Sequence, residues 1–115
     1  MKTYTGETGY VYQYYFVGKR PALETEPEAP ATEFVFDATS DRKTTFAVSV
    51  FFKPEALRVW EGAHSRPLTE SEQYAAAKMR LFRAFDQVEN MRDQGRRLRI
   101  DAADIEDLLG TLGLE

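Results

Sequence analysis

Large apolar side chains recur at every second position in the first strand-like stretch, residues 9–20, "GYVYQYYFVGKR". Alternation puts Tyr10, Tyr12, Tyr14 and Phe16 on one side and Val11, Gln13, Tyr15 and Val17 on the other. Neither side is plainly polar, so the strand is either covered on both faces or turns one apolar face toward a partner. The next alternating stretch, "TEFVFDATSDRKTTFAVSVFFK", reads as a hairpin: Thr32, Phe34, Phe36 and Ala38 share one face of its first arm, and Phe46, Val48, Val50 and Phe52 one face of its second. Burying both rows together requires paired residues whose numbers sum to an even value, and therefore a loop with an odd number of residues. That loop is placed at Asp41, Arg42 and Lys43, or one residue wider on each side; it has no glycine for the left-handed position such loops favour.

Beyond Pro54 the period changes from two to 3.6. "PEALRVWEGAH" predicts a short helix with Leu57 and Trp60 inward, weakened or closed at Gly62. A longer helix is expected from about residue 70 to about residue 92, opened by a capping box of Thr69 and Glu72. Tyr74, Ala77, Leu81, Ala84, Phe85, Val88 and Met91 form its apolar stripe, with Phe82 on the flank. "RRLRI" suggests a short strand with Leu98 and Ile100 inward and Arg97 and Arg99 outward. A last helix is capped by Asp101, carries Ile105, Leu108, Leu109 and Leu112 on its apolar side, and stops at Gly110. Together these elements predict one α+β domain over residues 1–115: an antiparallel sheet of three or four strands with one long and two shorter helices on one face. Residues 19–33, with Pro21, Pro27 and Pro30 among Glu24, Glu26, Glu28 and Glu33, are expected to be a mobile acidic loop.

Composition narrows the chemistry. With no cysteine there is no disulfide, thiolate metal site or cysteine nucleophile. The N-terminal residues lack the apolar core of a signal segment and no run approaches a membrane span, so a cytoplasmic protein without a membrane partner is expected. His64 is the single histidine, and Glu61 and Ser65 beside it do not make a catalytic constellation. Asp101, Asp104 and Asp107 could face a cation, but acids in the first turn of a helix are explained by its dipole, and neither metal nor other cofactor is expected. Catalysis is therefore not the expected activity.

Two readings of function follow from the two faces of the first strand. If the tyrosine row joins the hairpin's inner rows, the outer face shows Val11, Tyr15, Val17, Val35 and Phe51 around Gln13. Monomers rarely expose such a patch, so the expectation is a non-catalytic interaction or regulatory module that binds another protein or a second copy of itself as a homodimer, with Leu109 and Leu112 as further contacts. This arrangement is preferred because Gln13 is the residue least suited to a core. In the alternative, Tyr10, Tyr12 and Tyr14 face outward and, with the arginine-rich segment 78–99 and above all Arg96, Arg97 and Arg99, bind single-stranded nucleic acid. The overall charge of -4 weighs against that alternative.

Overall fold

The alternating stretch forms strand β2 (Val11–Pro21), and it pairs with a short strand the pattern did not indicate, β1 (Lys2–Thr5). The structure is a computed structural model that describes residues 1–6, 9, 11–22 and 31–111, the side chain of Thr111 excepted. Strands β3 (Thr32–Thr39) and β4 (Phe46–Phe52) are the predicted hairpin, and β5 (Arg97–Ile100) is the predicted short strand. The fold is α+β, with five strands among the described residues in the order β1-β2-β3-β4-β5. The first three pairings are antiparallel, but β5 runs parallel to β4, so the sheet is mixed and not the purely antiparallel one expected. A parallel neighbour needs a long crossover, which the helices between residues 54 and 94 supply.

The hairpin pairs Ala38 with Phe46 and Phe36 with Val48, the even-sum register expected from burying both rows. Residues 39–45 connect the last pair, a wider loop than predicted. Asp41 organises it: its Oδ1 accepts from the backbone N–H of Lys43 and Thr44 and from the Thr39 hydroxyl, while Arg42 takes the left-handed position at φ 64° in place of a glycine. These donors hold the Asp41 carboxyl below its usual range. The stretch expected to be a mobile loop is shorter than predicted, since Lys19, Arg20 and Pro21 lie in β2 and Thr32 and Glu33 in β3. Its middle, residues 23–30, lies outside the described residues.

Helix α1 (Pro54–His64) begins at its proline and runs through Gly62, closing at Ser65 in a left-handed conformation. Helix α2 (Glu70–Gln87) starts with the complete capping box, Thr69 accepting from the Glu72 N–H and Glu72 from the Thr69 N–H. It ends five residues short of Arg92 because Val88 turns to extended backbone; Met91 then opens a single turn, α3 (Met91–Gln94), and still reaches the core. Helix α4 (Ala102–Thr111) passes through Gly110, and at its start the Asp104 carboxylate accepts the Asp101 N–H, the reverse of the predicted cap.

The core lies between these helices and one face of the sheet. Phe34, Phe36, Val48, Val50, Phe52, Leu98 and Ile100 come from the strands, and Ala77, Leu81, Ala84, Phe85, Trp60 and Ile105 from the helices. Tyr12 and Tyr14 belong to this face, which settles the orientation of β2. Gln13 is consequently on the other side.

Candidate functional site

Register fixes what the second face of the sheet carries. Opposite the core, β2 presents Val11, Gln13 and Tyr15; β3 presents Asp37, Val35 and Glu33; β4 presents Ala47, Ser49 and Phe51; β5 presents Arg97 and Arg99. A bulge between Phe16 and Gly18 leaves Val17 as the extra residue of β2 and re-aims the strand, so that Gly18 and Arg20 join this face while Lys19 turns to the helix side opposite Phe34. Val11, Tyr15 and Val17 are 42, 45 and 54% exposed. The bulge was not anticipated, although a glycine inside an alternating strand, here Gly18, is a sequence signal for one.

The exposed apolar side chains of the face are on β2, and its charged ones gather toward β5. Tyr15 donates its hydroxyl hydrogen to Asp37 at 2.7 Å, and this bond raises the phenol's pKa. Glu33 is only 5% exposed although it lies on the face turned away from the core. Arg20 donates to it at 2.9 and 3.4 Å and the Ser49 hydroxyl at 2.6 Å. The Arg20 bonds are the main reason its carboxyl titrates below the usual range; Ser49 and the charges of Arg20 and Arg97 pull the same way against the cost of burial. Phe51, also 5% exposed, carries the Arg97 guanidinium 4.8 Å from its ring centroid.

Several of the residues expected to form an interface are placed differently. Phe51 faces away from the core as predicted, yet its neighbours cover it, so it is not an open contact. Leu109 is fully buried, with Leu108, against the core, because α4 turns both leucines toward the same interior; it is not a surface contact. Leu112 and Tyr10 lie outside the described residues. Val35 is half-buried between Gly18 and Ser49.

The residues of the nucleic-acid alternative do not come together. Tyr12 and Tyr14 are 4 and 3% exposed, Tyr12 stacked on Phe85 with centroids 4.2 Å apart and Tyr14 edge-on to Phe82 at 5.3 Å, so neither offers a ring to a base. Arg96 donates to the Ala47 carbonyl at the sheet end, while Arg97 and Arg99 sit on the outer face of β5, on the side opposite the tyrosines. On the long helix Arg80 donates to the Arg99 carbonyl and Arg83 pairs with Asp107 at 2.9 Å, which ties these cations into the helix layer.

A second feature was not read from the sequence at all. Phe16, Phe34 and Tyr74 line a shallow concavity of about 350 Å³ between β2 and the start of α2, rimmed by Lys19, Glu70 and Ser71. Phe16 and Tyr74 meet edge-on at 4.9 Å, and Lys19 bridges to Glu70 at 3.0 Å across the opening. At the end of α1, His64 stacks on Trp60 with centroids 4.2 Å apart and holds Glu106 of α4 at 2.8 Å. That pair pins α1 to α4. Among the described residues no group of three or more His, Cys, Asp or Glu is placed to hold a metal ion, and no helix is long and apolar enough to cross a membrane. Comparison with models of protein families, with curated proteins and with solved structures found no match to this chain.

Proposed function

We propose that the protein is a small non-catalytic interaction module that associates with a second copy of itself through the open face of its sheet. The observation that carries the reading is the row Val11, Tyr15 and Val17, all well exposed on a face whose opposite side already holds the whole helix layer. Strands that leave one face in water commonly alternate apolar toward the core and polar toward solvent. Here β5 presents Arg97 and Arg99, whereas β2 presents Val11, Tyr15 and Val17 beside Gln13 and Arg20, the distribution of an apolar contact with a charged rim. Two copies related by a twofold axis would present the same patch to each other, with both signs of charge, Asp37 on β3 and Arg97 and Arg99 on β5, on the same face. A stable pairing needs roughly 800 Å² from each partner, which requires β3 as well as β2 to take part.

Sedimentation equilibrium of the unmodified protein, with Val17→Glu as control, tests the proposal. A concentration-dependent dimer that Val17→Glu abolishes while circular dichroism stays unchanged supports it. A protein that remains monomeric at about 100 micromolar, well above the dissociation constant of an ordinary specific complex, overturns it.

A further inference from the structure

Strand β2 is longer than the strand that covers its edge. Strand β1 pairs only with residues 11–14 of β2, so among the described residues nothing pairs with residues 16–21 on the side away from β3. The other end of the sheet is treated differently, because Arg80 of α2 reaches across and donates to the Arg99 carbonyl of the edge strand β5. The overhang of β2 is also where the surface is concave. The aromatic groove of Phe16, Phe34 and Tyr74 lies on its helix side; a smaller depression of about 170 Å³ at Val17, Gly18 and Val35 lies on the open side. A third, of about 370 Å³, lies at its end against Lys19, Arg20, Pro21, Ala31 and Thr32.

We propose that this overhang is a strand-addition site for an extended peptide of another protein that carries an apolar residue followed within a few positions by a carboxylate. Adding a strand uses the main-chain groups of an unpaired edge for affinity and depressions on alternating sides of it for selectivity, and residues 16–20 offer both. The aromatic groove takes the apolar side chain. Of the two cations described at the end depression, Arg20 is held by Glu33, so Lys19, once parted from Glu70, is the one that meets the carboxylate. The Lys19 to Glu70 bridge that crosses the groove is solvent-exposed on both sides and of little energetic weight, so a peptide can displace it. Gly18 has open space where a Cβ would stand, which permits a close backbone approach. The bulge, Lys19 and Pro21 are devices that guard an edge against indiscriminate pairing, and here they restrict addition to one short segment.

The test uses the full chain, labelled with nitrogen-15, and a blocked heptapeptide, Thr-Val-Phe-Val-Thr-Glu-Glu. Binding should shift the amides of residues 16–20 and slow their hydrogen exchange. Affinity should fall about tenfold both for Lys19→Gln, an exposed change that leaves the fold intact, and for a peptide with Lys in place of both Glu. The proposal is overturned by an absence of shifts up to about 1 mM peptide, by equal binding of the lysine peptide, or by protection at β5 instead. Two further outcomes also overturn it. Protection of residues 16–20 that rises with protein concentration alone would assign the edge to a second copy. Binding seen only after Glu24, Glu26 and Glu28 are changed to Gln would assign the site to the chain's own acidic stretch. Val17 belongs to both surfaces, so the two proposals are separated at Lys19, which turns to the helix side: Lys19→Gln should weaken the peptide without changing the oligomeric state, whereas Val17→Glu tests the self-association.

Discussion

The ring of Tyr12 lies parallel to that of Phe85, centroids 4.2 Å apart and planes inclined by only 4°, and this contact fixes β2 to the long helix. It decides the polarity of the whole molecule: once Tyr12 faces the helix, Tyr14 does too, and Val11, Gln13 and Tyr15 must face away. Phe85 is 2% exposed and also meets Tyr4 and Tyr14. Phe85→Ala should therefore cost about 3 to 5 kcal/mol in chemical denaturation, the range for a large aromatic lost from a packed interior. A loss below about 1 kcal/mol would contradict the placement of the core.

The two outer residues Val17 and Phe51 should respond differently to the same change. Val17→Glu puts a carboxylate on a side chain already in water and should leave stability within about 0.5 kcal/mol. Phe51→Glu buries a charge next to the carboxylate of Glu33 and removes the ring beneath Arg97, so a loss of several kcal/mol is expected. Equal melting temperatures for the two variants would show that Phe51 is not covered as described.

Acid should loosen the start of α2. Glu72 accepts from both terminal guanidinium nitrogens of Arg66 at 2.9 Å and from the Thr69 N–H, and the Arg66 bonds above all lower its pKa from 4.5 to about 2. A carboxylate whose folded pKa is depressed contributes stability that is fully present above its unfolded value. That contribution is lost as pH falls from about 4.5 through about 2. Melting temperatures measured across that window should drop less steeply in Glu72→Gln than in the unmodified protein. Identical slopes would count against the pairing with Arg66.

The hairpin loop offers a test in the stabilising direction. Arg42 sits at φ 64°, a conformation that costs a residue with a Cβ about 1 to 2 kcal/mol and glycine almost nothing. Arg42→Gly should raise stability by up to about 1 kcal/mol, after the extra freedom of the unfolded chain is subtracted. Arg42→Val should lower it, since a branched Cβ tolerates this conformation worst. If the glycine variant is the less stable of the two, the loop does not hold Arg42 in the left-handed region.

Local rules were sufficient wherever one segment contains its own instructions. The capping box of Thr69 and Glu72, the helical stripe through Leu81 and Phe85, and the even-sum pairing of Ala38 with Phe46 are all dictated by neighbours in the chain or by a period, and each stands in the structure as read. The inward direction of Tyr12 and Tyr14 followed from Gln13, a single amide that a core would have to satisfy. What tertiary structure alone decided concerns partners far apart in sequence. Strand β1 is four residues with no strong pattern, and it exists because Tyr4 stacks on Phe82 and donates to Asp86 at 2.7 Å. The parallel placement of β5 depends on where the helices return the chain, which no alternation within Leu98 and Ile100 encodes. Burial of Phe51 and Glu33 on the face turned away from the core likewise required Arg97 and Arg20 to be brought over them from other strands. Hydrophobic period specifies which face a residue takes, because that depends only on backbone geometry; how much of that face remains open depends on long side chains reaching across from strands the period cannot see.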